Sequence, residues 1–344
     1  MYFDTEPKGK KEDFFNYEYE YSEVKKALER KGKLIFIVGV RRIGKTTLMN
    51  ILYNEDKNLK VWIDGRIVTE PKKEIFAAIY EVARVGKPKI FGKIQSLNVS
   101  ALGIGLDIKV GPETKAEIEK KIKSTNRICV FIDEAQKMNT ADLSDVLSYF
   151  YDRFPNVTFI ISGSEVGLVE AIIGEDDSEH PLFGRSAKKL VMKRLDRNKA
   201  IDFLNAGFKQ VDMKIKEQEM SEALDELDGL IGWLTLFGYE KGVMKNKDAL
   251  KKTSEMAARI AASELLHFLK NRKNKPLYLS IIRNANGISW NELKARASKD
   301  LEEQLNPNLF SFAVRALLEH SFVEKKDEKY QLSDPLLFKA SFMI

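Results

Sequence analysis

The run Gly39-Val40-Arg41-Arg42-Ile43-Gly44-Lys45-Thr46-Thr47 sets two glycines around four residues and follows them with lysine and a hydroxyl. That spacing suits a loop whose successive backbone N–H groups converge on a phosphate, ahead of a helix whose N-terminal partial charge adds to the attraction. In such a loop Lys45 reaches the β- and γ-phosphates and the Thr46 hydroxyl ligates Mg²⁺. Gly39, Ile43, Gly44 and Thr47 complete the cradle. Arg41 and Arg42 lie inside it. The simplest expectation for them is solvated loop charge, and the alternative is that they steer nucleotide or reach a neighbour.

A second polar constellation follows Ile128-Cys129-Val130-Phe131-Ile132, an apolar run that ends in Asp133-Glu134. Ligands of doubly wound sheets bind outside the carboxyl ends of the strands, so this pair should face the phosphate loop. Asp133 is then the Mg²⁺ holder, and Glu134 orients and polarises the water that attacks the γ-phosphate. Val157–Ile161 ends in Ser162-Gly163-Ser164-Glu165. Ser164 there either senses the γ-phosphate or lytic water, or caps a helix over Val166–Ile173. Arg185, after Pro181-Leu182-Phe183-Gly184, is a candidate guanidinium for the transition state, within the chain or across an interface, with a structural ion pair as the plain alternative. Cys129 sits among apolar neighbours and reads as a small core residue.

The elements that position these residues come from pattern. Apolar runs at Lys33–Val38, Val61–Ile63, Ile128–Ile132, Val157–Ser162 and Lys189–Met192 show little alternation, the mark of strands buried on both faces. Helical stretches are expected at Thr46–Asn54, Lys72–Ala83, Lys115–Ser124, Leu143–Asp152 and Val166–Ile173. The fold class is therefore α/β, a parallel sheet covered by helices. Val99–Val110, alternating around Gly103 and Gly105, reads as an inserted hairpin.

After Leu195 the strands stop, and helices are expected at Arg197–Phe208, Ser221–Leu227, Trp233–Gly238 and Ala249–Lys270. Helices at Leu277–Asn284, Ser289–Ala297 and Pro307–His320, followed by strands Phe322–Lys325 and Lys329–Leu332, follow the order of a winged helix. Three units are expected: 1–195 a nucleotide-binding α/β domain, 196–275 a helical lid and 276–344 a winged-helix domain.

Composition narrows the class. A chain of 344 residues, 44% hydrophobic, has enough apolar content for two or three cores, which excludes disorder as the dominant state. One cysteine excludes an internal disulfide and a cysteine-based zinc site. The longest apolar stretch, Leu34–Val40, falls far short of the ~20 residues of a membrane helix. The expectation is a soluble, cytoplasmic protein without a membrane partner.

The net charge of +6 is unevenly placed. Residues 241–275 hold ten basic and three acidic side chains, a surplus of +7, whereas residues 276–344 hold nine of each. A basic lid surface is thus the better candidate for DNA than the winged helix, whose third helix carries only Arg315 against Glu319. A solvated helix face is the plain alternative, and a protein partner or self-association fits a neutral winged helix.

Together Gly39–Thr47, Ile132-Asp133-Glu134-Ala135-Gln136, Ser162-Gly163-Ser164-Glu165-Val166-Gly167, Pro181–Arg185 and Gly229-Leu230-Ile231-Gly232-Trp233-Leu234 resemble the archaeal ATPase family of the STAND/AAA+ division of P-loop proteins. The resemblance implies a slow ATPase that works as a nucleotide switch on ATP and ADP with Mg²⁺. Its lid and winged helix would move with hydrolysis, and Gly232 and Trp233 would lie against the nucleotide. Family members usually carry proline where this chain has Ile231. Some continue into a nuclease-like domain, which a chain ending at Ile344 is not expected to have.

Overall fold

A computed structural model describes residues 1–91, 115–164, 167–174 and 177–344. The stretch Val99–Val110 and residues Glu165 and Val166 lie outside them. The N-terminal half alternates helices and strands: α1 (Glu18–Glu29), β1 (Leu34–Val38), α2 (Lys45–Glu55), β2 (Leu59–Asp64), α3 (Pro71–Val85), β3 (Lys89–Phe91), α4 (Lys115–Ser124), β4 (Ile128–Asp133), α5 (Thr140–Arg153), β5 (Val157–Gly163), α6 (Leu168–Ile173) and β6 (Lys188–Val191). The six strands form one sheet, ordered β3-β2-β4-β5-β1-β6, with every neighbour parallel.

Successive strand residues face opposite sides, and each side has its own core. Ile35, Ile37, Trp62, Cys129, Phe131 and Ile160 pack with α2 and the helices that follow the sheet. Leu34, Phe36, Val61, Ile63, Val130, Ile132, Phe159 and Ile161 pack with α3 and α5. Burial on both faces explains why these strands read as unbroken apolar runs. Cys129 is buried, and burial pushes its thiol pKa well up, as expected of a core residue.

Local signals set the helix ends. Pro71 opens α3 and Gly86, at φ 69°, closes it. Asn139 accepts from the Asp142 N–H at 3.0 Å to cap α5. The helix after β5 begins at Leu168 with Gly167 as its N-cap, so Ser164 does not cap it.

Beyond the sheet lie α7 (Arg197–Gln210), α8 (Glu217–Leu227), α9 (Ile231–Gly238) running into a π-helical turn at Tyr239–Val243, and the long α10 (Ala249–Leu269). The C-terminal unit comprises α11 (Lys275–Asn284), β7 (Asn286–Ile288), α12 (Trp290–Asp300), α13 (Pro307–Glu319), β8 (Val323–Lys326), β9 (Lys329–Leu332) and α14 (Leu336–Ala340). Its three strands form an antiparallel sheet ordered β7-β9-β8. α10 serves two cores: Ala249 and Ala257 belong to the core beside the sheet, whereas Ala261, Leu265 and Leu269 belong to the C-terminal one. Among the described residues no helix is long and apolar enough to cross a membrane.

The first seventeen residues form a strap between the sheet and the helices that follow it. Phe3 is fully buried, its ring centroid 4.8 Å from that of Phe208 and 5.9 Å from that of Phe203. A Cβ on Gly207 or Gly238 would come within 2.3 Å of the Phe3 ring, so these helices are small at the contact to admit it. Tyr17 is buried and donates to the Lys193 carbonyl at 3.0 Å.

Candidate active site

The loop between β1 and α2 turns at Gly44, whose φ of 96° favours a residue without Cβ, and delivers Lys45 as the first residue of α2. Lys45 Nζ donates to the carbonyls of Gly39 and Val40, each at 2.8 Å. Burial lowers its pKa to about 8, opposed by the nearby carboxylates of Glu134 and Asp133. This ammonium is poorly hydrated and held in place, a ready counter-charge for an anion.

Asp133 ends β4 directly opposite the loop. Its Oδ2 accepts from Thr46 Oγ1 at 2.9 Å and its Oδ1 from Ser162 Oγ. Burial raises the pKa of its carboxyl, the Ser162 and Thr46 hydrogen bonds pull the other way, and Glu134 and Asp64 add to the rise. The Thr46 hydroxyl and Asp133 carboxylate are hard oxygen donors in a negative field. They suit a small divalent cation that completes its shell with phosphate and water.

Glu134 follows in a left-handed conformation, φ 55°. Gln136 steers it: the amide nitrogen donates to Glu134 Oε2 at 2.6 Å and to Ser164 Oγ at 2.9 Å, while Gln136 Oε1 accepts from the Ser164 N–H at 3.3 Å. Ser164 therefore meets the site through Gln136.

Lys45, Thr46 and Glu134 line a cavity of about 600 Å³, within the usual range for a small-molecule site. Lys45, Thr46, Thr47, Arg41, Arg42, Glu134, Gly232 and Trp233 all reach it. Ile231, in the motif the resemblance places against the nucleotide, also lines it, and three further walls were not foreseen from the sequence: Arg66 after β2, and Phe14 and Tyr17 from the strap. Arg66 is fixed by Asp64, with Nε at 2.9 Å and Nη2 at 2.6 Å, and the carboxylates around it raise its pKa. A strand ending in Asp64-Gly65-Arg66 beside a phosphate loop is the signal that could have found it.

The arginines of the loop are paired with side chains of distant elements. Glu264 on α10 accepts from Arg41 Nη1 at 3.0 Å and from Arg42 Nη2 at 2.6 Å. Arg42 also pairs with Asp334 at 3.5 Å and lies 4.2 Å over the Trp233 ring. Trp233 Nε1 donates to the same Asp334 carboxylate at 2.9 Å. Gly232 N donates to the Arg42 carbonyl at 2.9 Å, and a Cβ at Gly232 would lie 2.8 Å from that of Arg42. Solvation as loop charge is thus the wrong expectation for both arginines, because a carboxylate 223 residues away reaches Arg41 and carboxylates 222 and 292 residues away reach Arg42. Ile231 is the first residue of α9, a position whose backbone N–H has no partner within the helix.

Arg185 is not brought to this cavity. Its Nη2 pairs with Asp152 at 2.9 Å and its guanidinium lies 5.5 Å from the Tyr151 ring. Within one chain this is the structural ion pair.

A family model described as an ATPase domain predominantly from Archaea matches residues 14–237, more than half of the chain. The chain belongs to this archaeal ATPase family. It is an ATPase, with a P-loop α/β fold. Among solved structures it is similar to a Walker-type ATPase of Pyrococcus abyssi, at 26% identity over 99% of this chain and 100% of that one, with a TM-score of 0.78. A more distant likeness is to the RuvB Holliday-junction branch-migration motor of Thermotoga maritima, at 16% identity over 96% of each chain, with a TM-score of 0.48. No curated protein matches this archaeal-type ATPase significantly. The matched span begins at Phe14, so it takes in that wall of the cavity as well as the phosphate loop.

Proposed function

We propose that this ATPase is a Mg²⁺-dependent nucleotide switch, in which hydrolysis of ATP to ADP changes how the lid and a C-terminal winged helix sit on the P-loop. Lys45 exchanges the carbonyls of Gly39 and Val40 for the β- and γ-phosphates. Thr46 and Asp133 would hold Mg²⁺, which when bound neutralises charge developing on the phosphoryl oxygens. Glu134, steered by Gln136 and through it by Ser164, orients the attacking water and takes its proton. Phe14, Tyr17 and Ile231 offer apolar surface for the base. Domains at 1–195, 196–275 and 276–344 are the moving parts of this reading.

The observation that carries the switch is Arg42. One phosphate-loop residue holds the lid through Gly232 and Trp233, and the C-terminal unit through Asp334. A change in loop conformation on phosphate binding is therefore felt at both. Arg194 adds a parallel tie, pairing with Asp228 and donating to Glu324 at 2.8 Å and to the Ser333 carbonyl at 3.0 Å.

The partner of the C-terminal unit is read as protein. α13 exposes Leu309 and, at 62%, Phe312, an apolar display that phosphates do not recognise. Lys241 and Lys252 of the basic stretch are drawn into pairs with Glu219 and Glu240, which weakens the case for DNA there.

The test is steady-state phosphate release by wild type and Glu134→Gln. Turnover is expected to fall about 10²- to 10⁴-fold with nucleotide affinity retained, and equal rates would remove Glu134 from the chemistry.

A further inference from the structure

A second cavity, of about 570 Å³, opens beside the first between the phosphate loop, the end of β4, α10 and the C-terminal unit. Its wall carries Arg41, Lys137, Arg272, His267 and His320 against one carboxylate, Glu264. That carboxylate already bridges Arg41 and Arg42. Among the described residues Lys137 and Arg272 have no ion-pair partner. Counting Arg41, Lys137 and Arg272 against Glu264 leaves an excess of two positive charges on the wall, with two histidines beside them.

Arg272 is held against aromatic rings rather than against an acid. Its guanidinium lies 3.9 Å from the Phe268 centroid and 5.3 Å from that of Tyr278, and Nη1 makes a long 3.4 Å contact to the Tyr278 hydroxyl. Its Nε is buried without a hydrogen-bond partner. No acid among the described residues neutralises Arg272, so its guanidinium charge is left for an acceptor in the cavity. The same positive field is felt at His320: burial lowers its pKa, its contact with the Ala316 carbonyl opposes this, and Arg272, Arg41 and Lys137 lower it further. Phe268 and Phe322 supply apolar wall.

We propose that this cavity binds a small phosphate-bearing anion of two or more negative charges, separate from the nucleotide phosphates of the P-loop. The volume fits a small molecule, and the charge excess fits a dianion better than a monocarboxylate. Arginine forks recognise phosphate oxygens in pairs. A bound anion would touch Arg41 of the phosphate loop, Lys137 three residues after Glu134, and Arg272 and His320 of the C-terminal side, so it would report to the nucleotide site and the C-terminal unit together.

The experiment is calorimetric titration of the full chain, saturated with ADP and Mg²⁺ at low salt, with pyrophosphate and in a parallel arm with AMP. One anion per chain is expected. Tighter pyrophosphate binding identifies an inorganic ligand, and tighter AMP binding an organic one that uses the aromatic wall; either supports the site. Affinity should fall at least tenfold in Arg272→Gln. The same fall is expected in Ser263→Asp, which adds a carboxylate at an exposed wall position and so keeps the test open if Arg272→Gln does not fold. Pyrophosphate should still bind nucleotide-free Lys45→Ala. Absence of binding to the wild type overturns the proposal, as does binding that is lost in Lys45→Ala and unchanged in Arg272→Gln.

Discussion

The junction of Arg42, Trp233 and Asp334 makes a quantitative prediction. Trp233 and Asp334 are buried, and the indole N–H donates to the carboxylate at 2.9 Å. Burial raises the Asp334 pKa; the Arg42 charge, the Leu336 N–H and the Trp233 N–H resist the rise. A hydrogen bond to a charged acceptor contributes about 1.5–3 kcal/mol, and one between neutral groups about 0.5–1.5 kcal/mol. Trp233→Phe removes the donor while keeping a ring beneath Arg42. It should therefore cost about 1.5–3 kcal/mol in the wild-type background and about 0.5–1.5 kcal/mol in the Asp334→Asn background, where the acceptor is a neutral amide. The difference, about 1 kcal/mol or roughly fivefold in an equilibrium constant, is the coupling that a double-mutant cycle measures. Urea unfolding of the four proteins by circular dichroism, with ATP turnover in parallel, reads it on stability and on function. Equal costs of Trp233→Phe in both backgrounds would refute the interaction. A full coupling in stability with no change in turnover would leave the junction structural and break its link to the switch.

Two other outcomes are expected. The buried Lys45 ammonium has a folded pKa of about 8, below its unfolded 10.5, so between these values the unfolded chain binds more protons and stability rises with pH. The nucleotide-free wild type should gain up to about 3 kcal/mol relative to Lys45→Met from pH 8 to 10.5, and parallel unfolding curves with no relative gain would show that the lysine is not desolvated. Phe3→Ala removes a fully buried ring and should cost about 3–5 kcal/mol of strap docking. Faster proteolysis within the first seventeen residues and weaker ADP binding are the signatures, and unchanged affinity would detach the strap from the nucleotide cavity.

The placement of the candidate site was legible because its parts are local. Leu34–Thr47 carries strand, turn and reactive groups in one continuous stretch, and Ile128–Glu134 carries a strand with its terminal carboxylates, so backbone geometry alone aims them at one crevice. The helices of the second half were legible for a similar reason, since apolar period and capping residues such as Ser289 with Glu292 act within a turn or two. The strap was not. Phe3, Phe14 and Tyr17 lie in a polar segment without period, and Phe3 acquires meaning only from the space left at Gly207 and Gly238.

The pairing of Arg41 and Arg42 with Glu264 and Asp334, the removal of Arg185 to Asp152, and the basic cavity around Arg272 were decided by tertiary structure. An ion pair leaves no periodic trace in a chain, because its partners are chosen by where packed elements bring two side chains. The sequence by itself determined that Lys45 closes a phosphate-loop pattern and that the carboxylates end an apolar strand of the same sheet. Only the packing of α9 and the C-terminal unit onto the loop decided that Arg42 joins all three, since that contact exists once the apolar faces of α9, α10 and α14 have found their places.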